Sequence, residues 1–211
     1  MAVWTIAAQE ATGGARLAAE LAAAAGVPLF DRAALALFAR RLDPDFPVGG
    51  ELEGRFGGRL NALALSTAIR TGSPDAFREV ELRQNLPAIG RAVVTEAARA
   101  PCVIYAPAAF AALSEHCSAV HVRLRAPLEW RIAAYQREHV VDRRCAEKAL
   151  KHADLRRQAW VKSLYHVDID DARLFSLVLD AARFTSERLV ETLLAAGGVQ
   201  AALVATLRPD V

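Results

Sequence analysis

Short, continuous apolar runs alternate along this chain with stretches whose apolar positions recur every three or four residues. The runs fall at residues 3–7, 27–30, 101–105, 119–124 and 175–179. Each is shorter than a typical helix and lacks the strict polar alternation of a strand with one wet face. They predict strands buried on both faces, as in a parallel sheet covered by helices. The stretches between them supply those helices. Over residues 15–25, Leu17, Leu21 and several alanines share one face, and Gly26 stands where a helix C-terminus needs it. Leu35, Leu37 and Phe38 predict a helix over 33–41, and residues 74–99 read as helical with a break at Pro87. Leu128, Ile132, Tyr135, Val141 and Leu150 form a narrow stripe through 127–159, which suits one or two helices with a wet outer face. A closing helix is predicted over 185–195, with a short additional helix beyond Gly198. The expected fold class is α/β, a three-layer α/β/α sandwich around a mainly parallel five-stranded sheet.

The texture changes at residues 42–73, where Pro44, Pro47, Gly49, Gly50, Gly54, Gly57, Gly58 and Gly72 interrupt it around a helical patch at 60–69. This predicts a variable insertion within a single domain spanning 1–211, since 211 residues with 54% apolar content can bury one substantial core. Cys102, Cys117 and Cys145 are odd in number and have no C-x-x-C pairing. Neither a disulfide framework nor a zinc ribbon is expected, and a reducing cytoplasm fits. Glu10 interrupts the only apolar candidate for a signal peptide, and no apolar run reaches the length of a membrane span. A net charge of +2 argues against a nucleic-acid coat protein. The basic residues from Arg137 to Lys162 alternate with acidic ones, as on a solvated helix face laced with pairs such as Glu147 and Lys151. Trp160 and Tyr165 are spaced for packing rather than for stacking on bases.

Candidate chemistry concentrates where the first run breaks into Gln9-Glu10-Ala11-Thr12-Gly13-Gly14 and restarts as a helix. A strand, a glycine turn and a helix N-terminus aim unpaired backbone N–H groups at one point, a natural grip for phosphate. The Walker A pattern G-x-x-x-x-G-K-[ST] places a lysine and a hydroxyl after its last glycine. Gly14 and Ala15 stand there instead. His121 alternates within a strand run and no supporting carboxylate singles out His116, Cys117 and His121 as a metal site, and no G-x-S-x-G marks a hydrolase.

The N-terminal segment resembles the cytidylate kinase-like family, a branch of the P-loop nucleoside monophosphate kinases. Thr5, Ile6, Gln9, Gly13, Gly14, Leu21, Gly26, Pro28, Asp31 and Arg32 stand in register with that family's opening unit. Pro101 to Ile104 resembles its third strand, and Ala126-Pro127-Leu128-Glu129 with Arg131 its strand-to-lid junction. Asp154 and Arg157 resemble the lid helix, within a lid-like segment at 137–170, and Leu177, Val178 and Arg183 the last strand and following turn. The resemblance implies a P-loop kinase fold, ATP and Mg2+, and a nucleotide or other small phosphorylated ligand. By the same resemblance Thr12, Gly13, Gly14, Ala15, Arg156 and Arg183 would hold the cofactor, and Asp31 and Arg32 the acceptor. Arg16, Arg157 and Lys162 would stabilise the transferring group. Neither nucleic acid nor membrane is an expected partner.

The departures from the family fall at the same place. Ala11 replaces the first loop glycine, Ala8 and Ala15 replace basic residues, Glu10 adds a carboxylate, and Ala106-Pro107 replaces a Gly-Arg pair. Phosphoryl transfer depends on cations placed around the transferring group. The sequence therefore supports three readings: a phosphotransferase, active or impaired, from ATP to a nucleoside monophosphate or similar small acceptor; a catalytically silent nucleotide-binding or regulatory module, compatible with a homodimer; and a kinase whose donor or acceptor has changed, so that a small non-nucleotide metabolite is phosphorylated.

Overall fold

A computed structural model describes residues 2–42 and 74–207. The helical patch at 60–69 and nearly all of the insertion at 42–73 lie outside them. Five strands, β1 (Val3–Ala8), β2 (Leu29–Phe30), β3 (Cys102–Tyr105), β4 (Ala119–Arg125) and β5 (Leu177–Asp180), pair in the order β2-β3-β1-β4-β5. Every pairing is parallel. All six residues of the central β1 are buried, which is why its sequence carries no polar alternation.

The two faces of β1 explain the layers. Trp4, Ile6 and Ala8 pack with Leu17, Ala18 and Leu21 of α1 (Gly14–Ala25) and with Leu189 and Leu193 of α7 (Ser186–Leu207). On the other face, Val3 packs with Val94, Ala97 and Ile104, and Ala7 with Phe110, Trp160 and Val161. These contacts bring in α3 (Pro74–Ala97), the single turn α4 (Ala109–Ala112) and α6 (Arg143–Tyr165). Helix α2 (Arg32–Leu42) packs on α3, and α5 (Leu128–His139) on α6. The three-layer α/β/α expectation is thus observed.

Three boundaries differ from the sequence expectation. Helix α3 runs through Pro87 without ending. Helix α7 continues through Gly197 and Gly198 to Leu207, so no separate terminal helix forms. A Cβ on Gly197 would collide with the Trp4 ring, whose indole N–H donates to the Leu193 carbonyl at 2.8 Å. Glycine therefore serves close approach there rather than termination. The last strand starts at Leu177, after a 3-10 turn at Ala172–Leu174.

One polar pair inside the sheet gives stability a pH dependence. Thr5 and His121 are register partners on β1 and β4, and Thr5 Oγ1 lies 2.8 Å from His121 Nδ1. Burial pushes the imidazole down to about 4, against the pull of the Leu113 carbonyl. The unfolded chain therefore takes up a proton near the ordinary 6.5 that the folded chain refuses, and stability falls as pH drops from there toward 4. Between about pH 7.5 and pH 5, urea unfolding should lose roughly 2 kcal/mol. His121→Gln should abolish most of that loss.

Candidate active site

After β1 the chain turns toward the β2 edge, and after β3 it crosses to β4 and the β5 edge. A crevice therefore opens beyond the carboxyl ends of the central strands, where open parallel sheets place ligands. The loop between β1 and α1 lies there. Its base is fixed by Gln9, whose N–H donates to the Leu124 carbonyl at 2.9 Å and whose Oε1 accepts from the Ala126 N–H at 3.2 Å. Ala11 takes a left-handed φ of 59°, and Gly13 one of 74°. The loop thus keeps a glycine-type bend at Ala11, at a strain of about 1 kcal/mol or more.

The amides at the front of α1 are the consequence. Gly13 O accepts the first helical bond, from Leu17 N–H at 2.9 Å. Among the described residues, no acceptor of normal geometry meets the N–H groups of Gly13, Gly14, Ala15 or Arg16. An oxyanion fits such a set of donors. The buried Thr12 hydroxyl donates to the Gln9 carbonyl at 2.7 Å and so braces the loop from within. Gly14 is required for space. A Cβ there would collide with Ala8 Cβ and meet the Tyr105 ring at 3.1 Å.

Beside the loop is a cleft of about 1010 Å3, lined by Ala8 and Ala15, by α2, α3 and α6, and by residues 105–109 at the end of β3 and just beyond it. Asp31, Arg32 and Arg157 are its charged residues among the described ones. Asp31 also caps α2, accepting from the Ala34 N–H at 2.9 Å. Of the residues singled out in the sequence, Ala15, Asp31, Arg32 and Arg157 come together around this cleft. The others stand apart from its wall: Arg16 bonds Glu20 at 2.7 Å, Arg183 lies 3.4 Å from Asp180, and Arg156 and Lys162 are exposed on α6.

Arg157 is held by the loop itself. Arg157 Nη2 donates to Glu10 Oε2 at 3.0 Å, and Arg157 is only 14% exposed. Its Nη1 lies 3.8 Å from Asp154 Oδ1, and both atoms are buried without a hydrogen-bond partner. Asp154 is anchored in turn by Arg131 at 2.8 Å, and Arg131 Nε donates to the Ala126 carbonyl. On the same side of the sheet, buried Arg123 donates to Asp170 at 2.8 Å and to the Ala7 carbonyl at 3.3 Å. Burial raises the Asp170 carboxyl, but hydrogen bonds from Arg123 and Gln158 outweigh it and leave the group below its ordinary value. Three arginines and three carboxylates thus balance beneath the loop.

A family model described as the cytidylate kinase-like family matches residues 3–183. The chain belongs to that family. A comparison with curated proteins finds no match. Among solved structures, an uncharacterized protein from Eubacterium ventriosum shares 12% identity at a TM-score of 0.68, over 94% of this chain and 99% of that one. A gluconokinase from Sinorhizobium meliloti shares 15% identity at a TM-score of 0.51, over 98% of this chain and 95% of that one. At these identities the likeness is one of fold, and the fold is that of the P-loop kinases. No helix among the described residues is long and apolar enough to cross a membrane.

Sequence reasoning missed three members of this cytidylate kinase-like site. Tyr105 read as strand core, yet its ring closes against Gly14 beside the loop. Trp160 read as packing alone, yet it also lines the cleft. Arg123 carried a legible signal, a cation inside an otherwise apolar strand.

Proposed function

We propose that the chain binds a nucleoside triphosphate such as ATP through the β1–α1 loop and transfers its terminal phosphoryl group to a small acceptor in the adjoining cleft. The observation that carries this reading is the set of acceptor-free amides at Gly13 to Arg16, opening beside a cleft that holds Arg157. In this scheme the backbone at Thr12, Gly13, Gly14 and Ala15 cradles phosphate oxygens. The segment 137–170 acts as a lid, with Arg157 nearest the transferring group and Arg156 and Lys162 closing over it. Asp31 and Arg32 face the acceptor. Arg16 and Arg183 join only if they leave Glu20 and Asp180. The acceptor oxygen attacks the γ-phosphorus in line, and no covalent enzyme intermediate is needed.

The donor set fits phosphate better than it fits a metal. Among the described residues there is no group of three metal-type side chains, Ala15 offers no hydroxyl, and that of Thr12 is committed to Gln9. No step is therefore assigned to magnesium.

The tie between Glu10 and Arg157 supports a second reading, a module that binds nucleotide without turnover and acts through regulation or self-association. Coupled turnover with ATP and a panel of small acceptors, run beside calorimetry, separates the two. Binding with turnover supports transfer, binding alone supports the module, and no binding rejects both. Ala15→Arg is a sharper probe, because Ala15 opens onto the cleft where the family carries a basic residue. One added charge-assisted hydrogen bond, roughly 1.5 kcal/mol, should tighten triphosphate binding about tenfold.

A further inference from the structure

Among the described residues, the cleft sets three charged side chains beside a predominantly apolar lining. The charged ones are Asp31 and Arg32, just after β2, and Arg157, tied to the β1–α1 loop through Glu10. The body between α2, α3 and α6 is lined by Leu35, Ala36, Ile89, Val93, Trp160 and Leu164. Tyr105 and Tyr165 also line the cleft, and the Tyr165 hydroxyl donates to the Pro87 carbonyl at 3.4 Å. A pyrimidine or purine with its ribose presents several donors and acceptors, each of which loses affinity when buried without a partner. An apolar body instead gains by every apolar surface it covers. The volume of about 1010 Å3 stands at the upper end for a single small-molecule pocket and leaves room for a long substituent.

We infer that the acceptor is a phosphomonoester of an apolar alcohol, with its phosphate at Arg32 and Arg157 and its hydrocarbon body between α2, α3 and α6. This rests on the kinase reading for the transfer step but not for the binding. In that step a phosphomonoester oxygen forms a bond to the γ-phosphorus of the triphosphate. The bond from that phosphorus to the β,γ-bridging oxygen breaks, the nucleoside diphosphate leaves with the electron pair, and the product is the apolar diphosphate monoester.

The test uses the full chain, n-octyl monophosphate, and CMP, UMP and AMP, each displacing the fluorescent apolar sulfonate 8-anilinonaphthalene-1-sulfonate. A fluorescent triphosphate analogue reports the loop separately. Octyl monophosphate should displace the dye at a concentration at least tenfold below that of any of the nucleotides. Ala36→Trp, which fills the body, and Ile89→Gln, which makes it polar, should each weaken octyl monophosphate at least tenfold while leaving triphosphate affinity within twofold. Displacement by a nucleoside monophosphate at equal or lower concentration overturns the inference, and so does failure of octyl monophosphate to bind. If octyl monophosphate binds while the triphosphate does not, the acceptor class stands and the kinase reading falls.

Discussion

Gly14→Val should destabilise the protein by more than about 3 kcal/mol and abolish anion binding at the β1–α1 loop. The reason is geometric. The added Cβ would collide with Ala8 Cβ, and both atoms are fixed to backbone, so no rotation relieves the clash. The Tyr105 ring blocks the other exit at 3.1 Å. Helix α1 can accommodate the change only by moving off β1, which opens the packing of Leu17 and Leu21 and turns the free amides away from their common point. Gly13→Ala is the control. Nothing lies within 4 Å of a Cβ there, although φ is 74°, so the expected loss is about 1 kcal/mol with the fold retained. Chemical denaturation and phosphate titration of both variants decide the matter. Near-native stability for Gly14→Val would show that the loop is not packed as described.

Sequence legibility followed the range of the interactions. The five strands were readable because each carries a short, nearly continuous apolar run, wholly buried in β1 and half-buried in the edge strands β2 and β5, and the loop because Gly13 and Gly14 interrupt that pattern locally. Helix α3 was not fully readable, since Pro87 removes a donor that packing against α2 and α6 makes tolerable. The continuation of α7 failed for a similar reason. Gly197 resembles a helix end in sequence but faces Trp4 from the far end of the chain. Asp31 and Arg32 were singled out by resemblance as acceptor contacts, but the cleft they line is completed only by α3 and α6, which follow much later. The apolar character of that cleft had no local signature, because Leu35, Ile89 and Trp160 each satisfy an ordinary helical period. Arg157 was singled out by resemblance to a lid. That it is already held by Glu10, 147 positions earlier, is a tertiary fact with no sequence signal.

That contact yields the second large effect, in opposite directions for its two partners. In the proposed function, a polyphosphate at the Gly13–Arg16 amides would compete with Glu10 for Arg157 and be repelled by the Glu10 carboxylate. At an effective dielectric of 20, two unit charges 4 Å apart interact by about 4 kcal/mol. Glu10 is 42% exposed, so solvent removes much of this, and Glu10→Gln should tighten triphosphate or sulfate binding about tenfold. Arg157→Met should weaken it by a hundredfold or more, as expected for loss of a well-placed cation in a partly dry site. The double variant separates competition from simple charge removal. If Glu10 acts by occupying Arg157, its substitution should gain much less once Arg157 is gone, giving a coupling that calorimetry resolves. Weaker binding in Glu10→Gln would reverse the assignment and place the carboxylate on the ligand's side, holding the cation that accompanies a triphosphate.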